Sequence, residues 1–231
     1  MEITEALADG DADKDAAHSS GLDFFVVGIG ASAGGLSAIK ALLEGLPAAP
    51  DMAFVIVLHL SPTHESSASA IFQSSTRMPV TQVQGRMKIE RNHVYVIPPG
   101  SDLEMFDGQL QLVQSKRHRG RHVVIDHFFR TLAEAHRTRS VGIVLSGTGS
   151  DGSVGIAALK EKGGVVLAQA PEDAEHDGMP ASAIATRKVD IVLPVAEMAD
   201  HLVQLWANAS RIEVPDRLKV DQAANDARAP A

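Results

Sequence analysis

Cysteine is absent from this sequence of 231 residues, and aromatic residues make up only 4% of it. Without cysteine the chain has no thiol nucleophile, no disulfide framework and no thiolate metal ligand. Hydrophobic residues still reach 45%, so the core must be built mainly from Val, Ile, Leu and Ala. Aliphatic cores of this kind are typical of parallel strands covered by helices.

Long apolar runs and an excess of positive charge are missing as well. No run approaches the roughly 18 residues that span a bilayer. The acidic first ten residues also lack the apolar stretch of a signal peptide. The formal net charge of -8 argues against nucleic-acid binding. We therefore expect a cytoplasmic protein with no nucleic-acid partner and no direct insertion into a membrane.

Both ends of the chain have little that can form a core. Residues 1–21 are acidic and poor in large apolar side chains, and residues 208–231 combine mixed charges with scattered proline. Such segments bury too little surface to offset the entropy lost on ordering. We predict a disordered acidic N-terminal segment (1–21), one folded domain (22–207) and a disordered linker or tail (208–231).

Within the predicted domain, short apolar runs alternate with segments of helical spacing. The predicted strands are Phe24–Ile29, Ala53–Leu58, Val80–Val83, Val94–Ile97, Val141–Leu145, Val165–Ala168 and Val189–Leu193, and the main predicted helices are Leu36–Leu46, Asp126–His136, Val154–Lys162 and Met198–Trp206. This alternation predicts an α/β fold with a doubly wound, mostly parallel sheet and helices on both faces. Asp107-Gly108, a strong two-residue turn signal between apolar runs, adds an antiparallel hairpin at one edge.

Three unusual loops follow predicted strands, where ligands bind in such sheets. The first contains Gly30-x-Ser32-x-Gly34, the pattern of a nucleophile elbow that exposes a serine hydroxyl at a strand-to-helix turn. The same loop also fits Gly28-x-Gly30-x-x-Ala33, a fingerprint resembling that of dinucleotide-binding folds. The loop by itself leaves both interpretations open.

The end of the second predicted strand favours the serine nucleophile. A dinucleotide site needs Asp or Glu there for the ribose, whereas this strand is followed by His59. Adjacent parallel strands bring their carboxyl ends together, so an imidazole at this position can take the proton of Ser32. A lone histidine at a strand end is more often structural, but among ten histidines only His59 follows a buried strand beside the serine loop.

The third loop, residues 146–152, supplies a carboxylate. Asp151 lies just past a predicted buried strand, among glycines and small residues. A carboxylate in this place can hold the tautomer of His59 and stabilise its imidazolium form. The structural alternative is that Asp151 only caps the helix that follows it, which is common for aspartate. The density of glycine exceeds what a cap requires and favours a functional role.

Five motifs in order resemble the catalytic domain of the chemotaxis protein-glutamate methylesterases, the CheB family. They are residues 28–35 (GIGASAGG), 58–62 (LHLSP), 95–100 (YVIPPG), 145–152 (LSGTGSDG) and 177–180 (DGMP). Residues 150–152 and 184–186 look closer to hybrids that join this domain to a receptor methyltransferase. The resemblance covers about residues 23–206.

The resemblance implies an esterase that hydrolyses methyl esters of glutamate side chains on the cytoplasmic helices of chemoreceptors, in many members with glutamine deamidation, and without a cofactor or metal. By position, Ser32 resembles the nucleophile, His59 the general base and Asp151 the acid that orients the histidine. The N–H groups of Ala33 and Thr148 resemble the oxyanion hole. Stand-alone members carry an N-terminal receiver domain, for which residues 1–21 are too few, so we expect activity without a phosphodonor.

Other features leave alternatives open. The basic run from Lys116 to His122 is most simply a solvated loop, and the functional alternative is docking to acidic receptor helices. His118, His122 and His127 do not fit a known metal site. Two rival functions remain: a small-molecule esterase or amidase with the same triad, and a non-enzymatic nucleotide-binding or signalling module.

Overall fold

The computed structural model describes residues 20–58, 68–114, 123–209 and 211. The strands are β1 (Phe25–Ala31), β2 (Met52–Leu58), β3 (Val80–Gln82), β4 (Arg86–Lys88), β5 (His93–Val96), β6 (Ser101–Phe106), β7 (Gln109–Gln114), β8 (Ser140–Val144), β9 (Val165–Gln169) and β10 (Ile191–Leu193). The helices are α1 (Gly35–Gly45), α2 (Ala68–Gln73), α3 (Val124–His136), α4 (Gly155–Glu161), α5 (Gly178–Ala185) and α6 (Val195–Ala209).

Seven strands form one sheet in the order β10-β9-β8-β1-β2-β5-β3. Every neighbouring pair in this sheet is parallel. The chain winds outward from β1 to β2 and later returns to the other side of β1 with β8. The carboxyl ends of β1 and β8 therefore form the topological switch point of the sheet, where ligands bind in doubly wound folds.

Helices cover both faces, as the sequence predicts. The core on one face joins the sheet to α1, α2 and α6, and the core on the other joins it to α3, α4, α5 and a small second sheet. Strand β1 is buried along its whole length and supplies both cores from alternate residues. On the α3 side it presents Gly28 and Gly30. A Cβ on Gly30 would lie 2.4 Å from Ile125 Cγ2, and one on Gly28 would lie 3.0 Å from two phenylalanine rings.

The predicted hairpin is confirmed, and the structure places it in a separate sheet. Its strands β6 and β7 pair antiparallel, and β4 joins them to give the order β4-β7-β6. Asp107 (φ 48°) and Gly108 (φ 67°) both have the positive φ that a two-residue type I′ turn requires. The sequence does not reveal β4, because Arg86–Lys88 is short and largely exposed.

Within the described part of the chain, Ser20, two residues before the predicted boundary, already contacts the domain. The Ser20 N–H donates to the carbonyl of Ala135 (2.7 Å) and its hydroxyl lies 2.6 Å from His136 Nδ1. At the other end, α6 continues to Ala209. Residues 1–19 and 212–231, most of the predicted disordered segments, lie outside the described residues. Among the helices that are described, none is both long and apolar enough to cross a membrane.

Candidate active site at the carboxyl edge of the sheet

Ser32 lies on the turn that joins β1 to α1. Its side chain is partly exposed. The left-handed backbone conformation that the turn needs falls on Gly34 (φ 71°), which is also the N-cap of α1. A Cβ on Gly34 would lie 2.6 Å from Ser146 Oγ and 2.7 Å from Glu175 Cβ. Glycine is therefore required there both by the turn and by two neighbouring loops.

The other glycines of this loop have a packing explanation. Gly28 and Gly30 belong to β1 itself, and both are buried. Their missing side chains leave room for Ile125 and the phenylalanines of α3. In a dinucleotide fold the corresponding glycines form the phosphate-binding turn after the strand. The resemblance to that fingerprint is thus accounted for by the close approach of α3 to the sheet.

Hydrogen bonds hold the Ser32 turn to the loop that follows β8. The Ser32 N–H donates to the carbonyl of Ser146 (3.0 Å), and the Gly35 N–H donates to the carbonyl of Ser32 (2.9 Å). The Ser146 hydroxyl donates to the carbonyl of Ala33 (2.9 Å). The backbone on both sides of Ser32 is therefore tied to one residue of the neighbouring loop.

His59, the predicted base, lies outside the described residues. The strand before it is described: Leu58 is the last residue of β2 and pairs in register with Ala31, the last residue of β1. Ser32 and His59 are thus the residues that directly follow two paired positions of adjacent parallel strands. This register agrees with the sequence argument that brought the two residues together.

Asp151 accepts three backbone hydrogen bonds. Its Oδ2 accepts the N–H of Ile125 (3.1 Å), and its Oδ1 accepts the N–H groups of Asp126 (3.0 Å) and Gly152 (2.9 Å). Ile125 and Asp126 are in the first turn of α3, where N–H groups lack partners within the helix. Asp151 is therefore a cap, but of α3 rather than of the helix that follows it in sequence.

The helix that follows, α4, is capped by a carboxylate of α3. Asp126 Oδ1 accepts the N–H groups of Val154 (2.9 Å) and Gly155 (2.6 Å). The close approach has a backbone requirement as well, because a Cβ on Gly155 would lie 2.9 Å from the Asp126 backbone. Asp151 thus caps α3, which contains Asp126, and Asp126 caps α4, which follows Asp151 in the chain. The local sequence around either residue does not reveal this arrangement.

Both carboxylates are costly to ionise. Burial raises the pKa of Asp151, and the nearby Asp126 raises it further, although three backbone N–H groups act in the opposite direction. Burial likewise raises the pKa of Asp126, against the effect of its own backbone donors. Carboxylates with raised pKa values are frequent at functional sites, and they also occur in structural hydrogen-bond networks.

The two proposed oxyanion donors sit on immobilised peptide groups. Among the residues that the structure describes, the N–H groups of Ala33 and Thr148 have no acceptor. The carbonyl of the Gly147–Thr148 peptide accepts the N–H of Met179 (2.8 Å). Thr148 is exposed, so this loop lies where a substrate can reach it.

Gly147 borders Ser32 and Met179 packs against Gly147, and only the family motif points to these two residues. A Cβ on Gly147 would lie 3.0 Å from Ser32 Cβ and 2.2 Å from Met179 Sδ. The sequence argument missed two further polar residues, Ser146 and Gln169, which are 1% and 2% exposed. The available signal was that each is a polar residue at the carboxyl end of an apolar strand.

Of the three histidines considered as metal ligands, only His127 is among the described residues. His118 and His122, with the rest of the run from Lys116, lie outside the described residues. His127 pairs with Glu104 (Nε2 to Oε1, 2.9 Å) on the surface. Within the described ranges no group of three potential metal ligands occurs.

Known proteins with related sequences include curated methylesterases. A "Putative protein-glutamate methylesterase/protein-glutamine glutaminase" of Leptospira interrogans is 30% identical over 188 residues, which are 81% of this chain and 97% of that protein. An "Uncharacterized 104.1 kDa protein" of Rhodobacter capsulatus is 39% identical over 140 residues, 59% of this chain but only 15% of the relative. A protein-glutamate methylesterase/protein-glutamine glutaminase of Bordetella avium is 31% identical over 190 residues, and 56% of its length is covered.

A solved structure agrees with these relatives. The crystal structure of the Thermotoga maritima CheB methylesterase catalytic domain superposes with a TM-score of 0.74 at 26% identity, covering 80% of this chain and all of that one. A family model described as CheB methylesterase matches residues 27–202. The chain therefore belongs to the CheB methylesterase family, which confirms the resemblance and the class of enzyme predicted from the sequence.

Proposed function

We propose that this domain hydrolyses methyl esters of glutamate side chains on chemoreceptors, with Ser32, His59 and Asp151 as its catalytic triad. Family membership supports the reaction, and the names of the relatives supply the substrate class. The observation that carries the residue assignment is the geometry of the carboxyl edge. There the turn after β1 is hydrogen-bonded to the loop after β8, and the end of β2 pairs in register with the end of β1.

The proposed reaction begins with attack of Ser32 Oγ on the ester carbonyl carbon. His59 takes the serine proton, and the resulting oxyanion accepts hydrogen bonds from the Ala33 and Thr148 N–H groups. When the intermediate collapses, the bond to the methoxy oxygen breaks and His59 returns the proton, so that methanol leaves. Water, activated by His59, then hydrolyses the acyl-enzyme and releases the glutamate carboxylate and Ser32.

Asp151 has the capacity for its part in this scheme. Among the described residues, its Oδ2 accepts one backbone N–H, that of Ile125, whereas a carboxylate oxygen can accept two hydrogen bonds. The second position suits an N–H of His59. Because burial raises the pKa of Asp151, the ionised carboxylate gains from the imidazolium that forms during catalysis, which offsets part of the cost of burial.

Glutamine deamidation is a second candidate activity of the same site. The Leptospira and Bordetella relatives carry both activities in their names. The same attack on a side-chain amide would give the same acyl-enzyme with ammonia as the leaving group. The partners we propose are the methylated cytoplasmic helices of chemoreceptors, and a fused or separate receptor methyltransferase domain stays a prediction.

Two measurements test the assignment. A fluorophosphonate probe should label the wild-type protein and leave Ser32→Ala unlabelled. Methanol release from methylated receptor should fall by several orders of magnitude in Ser32→Ala, since triad members act as a unit. Near-wild-type methanol release by a folded Ser32→Ala protein would refute the triad.

The choice of substrate is tested separately. Methylated receptor should be turned over with a much higher kcat/KM than acetyl esters of small alcohols. The reverse preference, with intact labelling of Ser32, would favour a small-molecule esterase. Melting shifts caused by nucleotides, with no labelling of Ser32, would favour the non-enzymatic alternative.

A further inference from the structure

The buried hydroxyl of Ser146 occupies the junction of three segments. It donates to the carbonyl of Ala33 (2.9 Å), the shorter of its two acceptor contacts, and accepts the N–H of His176 (3.0 Å). The Ser146 carbonyl accepts the N–H of Ser32 (3.0 Å). Ser146 is thus hydrogen-bonded to the backbone of both Ser32 and Ala33 in the nucleophile turn. It also links this turn to His176, in the segment before α5.

Ser146 is itself held by a buried amide. Its N–H donates to Gln169 Oε1 (2.8 Å), and Gln169 Nε2 donates to Asp173 Oδ2 (2.8 Å). The same Asp173 oxygen accepts the N–H of Val195 (2.9 Å) at the start of α6. The chain of hydrogen bonds therefore runs from the nucleophile turn to the start of α6, which packs on the same face of the sheet as α1.

These contacts converge on one peptide group, the one between Ser32 and Ala33. Its carbonyl is bound by the Gly35 N–H (2.9 Å), and the flanking N–H of Ser32 and carbonyl of Ala33 are bound by Ser146. The only remaining polar group of that peptide is the Ala33 N–H, the first proposed oxyanion donor. Its direction is held because the Ser32 N–H, the Ser32 carbonyl and the Ala33 carbonyl are all hydrogen-bonded.

We propose that Ser146, braced by Gln169, is a positioning residue that aims the Ala33 N–H at the oxyanion of the transition state. The proposal rests on the function proposed above and adds to it the residue that orients the donor. An oxyanion donor is effective only if it is preorganised, since it must meet charge that develops during the reaction. Ser146 therefore acts on the transition state and leaves the binding of the ground state largely unchanged.

The test variant is Ser146→Ala, and the chain offers a matched control. Ser140 is fully buried at the start of β8, and its hydroxyl donates to the carbonyl of Arg137. Ser140→Ala thus removes a buried serine hydroxyl from a backbone carbonyl at the opposite end of the same strand. Both variants should lower the melting temperature by a few degrees, Ser146→Ala by more, because its hydroxyl donates one hydrogen bond and accepts another, whereas the Ser140 hydroxyl donates one.

Only Ser146→Ala should affect catalysis. We expect kcat for methylated receptor to fall about 10- to 100-fold with KM changed by less than about twofold, because a small misplacement of a catalytic group costs that much. The inhibition constant of a trifluoromethyl ketone analogue of the ester, whose serine adduct carries an oxyanion, should rise by the same factor. Ser140→Ala should keep the wild-type values of both.

A wild-type kcat in folded Ser146→Ala, or a loss confined to KM, would overturn the proposal. If circular dichroism shows that Ser146→Ala is unfolded at the assay temperature, Gln169→Met decides instead. This variant removes the brace at similar volume, and a kcat loss of at least about threefold supports the proposal, whereas a wild-type kcat overturns it. Ser32→Ala, measured in parallel, distinguishes failure of the proposed function from failure of this inference. An active Ser32→Ala protein refutes the proposed function. An inactive Ser32→Ala protein together with a fully active Ser146→Ala protein refutes only the role of Ser146.

Discussion

Helix α3 and strand β8 both run between the two ends of the parallel strands. We call the end where the strands begin the amino edge and the end where they finish the carboxyl edge. The polar residues at these two edges differ in character. At the amino edge, buried His136 and Ser140 donate hydrogen bonds to backbone carbonyls. At the carboxyl edge, Asp126 and Asp151 are two acidic groups held close together, and burial raises the pKa of both. At the amino edge the polar groups are satisfied by hydrogen bonds between neutral partners. At the carboxyl edge two buried carboxylates lie close together, and ionising them lowers the stability of the folded state.

This difference indicates a division of labour along each element. Stability is expected to depend mainly on the packing and neutral hydrogen bonds of the amino edge. If the proposed function holds, the carboxyl edge gives up stability for a preorganised site, which is a common compromise in enzymes. Substitutions at the two edges should therefore separate effects on rate from effects on melting.

The largest expected effect is that of Asp151→Asn. The amide keeps the size and a capping oxygen but loses the charge, and can stabilise the wrong tautomer of His59. We expect kcat to fall by about 10⁴, by analogy with other triads. Because burial raises the pKa of Asp151, its ionised form destabilises the folded state at neutral pH, and removing the charge offsets the loss of one acceptor. The melting temperature at pH 7 should change by no more than a few degrees.

Methanol release and thermal unfolding, measured on the same preparation, check this prediction. A large drop in melting temperature together with high residual activity would mean that Asp151 serves only as the cap of α3. That result would remove the distinction between the two edges, since both would then contribute only to stability.

Two glycines, Gly147 beside Ser32 and Gly142 within β8, allow the same comparison to be made by adding one methyl group at each place. A Cβ on Gly147 would press against Ser32 Cβ at 3.0 Å and Met179 Sδ at 2.2 Å, whereas one on Gly142, within β8, would meet Leu159 Cδ1 at 2.4 Å. Overpacking typically costs about 1–3 kcal/mol of folding free energy. Gly142→Ala should show only this cost, and Gly147→Ala should in addition lose about 10- to 100-fold in kcat by displacing the serine.

Denaturant unfolding and methanol release distinguish the two glycine variants. Equal kcat losses in both would indicate that strain anywhere in β8 reaches the serine. An unchanged kcat in Gly147→Ala would show that the Met179 side chain alone absorbs the added methyl group.

The amino edge has its own signature in the dependence of stability on pH. Burial lowers the pKa of His136 from 6.5 to about 4, and its neutral ring donates from Nε2 to the carbonyl of Phe24 and accepts from Ser20. A histidine with a depressed folded pKa contributes its full stability above pH 6.5, and this contribution is lost as the pH falls toward 4. This shift in pKa corresponds to at most about 3 kcal/mol of unfolding free energy.

His136→Gln tests this contribution, because glutamine keeps a donor for the Phe24 carbonyl and does not titrate. The difference in unfolding free energy between wild type and variant should narrow between pH 7 and pH 4.5. Protonation of Asp126 and Asp151, whose pKa values are raised, stabilises the fold as the pH falls and is common to both proteins. A difference that stays constant over this range would contradict the assignment, and kcat at pH 7 should be the same in both.

Much of the fold was predictable from local pattern. Alternating apolar runs indicated the parallel sheet, and Asp107-Gly108 indicated the hairpin because its turn type demands positive φ at two residues. Strand β4 was not predictable, since Arg86–Lys88 carries no apolar pattern and exists only through its pairing with β7. The ends of α3 and α6 also differ from the predicted ones by a few residues, as is usual for helix termini.

Local patterns in the sequence point to only part of the proposed site. Ser32, His59 and Asp151 stand in glycine-rich or polar motifs directly after strands, so a local pattern marked them. The supporting residues Ser146, Gln169 and Asp126 act through partners 23 to 113 residues away in sequence. No local pattern reveals such contacts, because they arise only when the strands are assembled.

The smallest expected effect is that of a charged pair at the amino edge. Asp190 accepts hydrogen bonds from Lys160 Nζ (2.7 and 2.8 Å) and from the N–H of Val166 (2.8 Å), and both charged side chains are about one-third exposed, 30% and 34%. Asp190→Asn keeps an oxygen for the Val166 N–H and loses only the charge. Since such surface pairs contribute at most about 1 kcal/mol, the melting temperature should fall by no more than about 2–4 °C. Screening by 1 M salt should shrink the difference in melting temperature from wild type, and kcat should be unchanged.

This variant is the counterpart of Asp151→Asn, because each replaces one carboxylate with an amide at opposite edges of the same sheet. A kcat loss of more than about tenfold in Asp190→Asn would show that the amino edge is coupled to the active site, and the division of labour between the two edges would then be wrong.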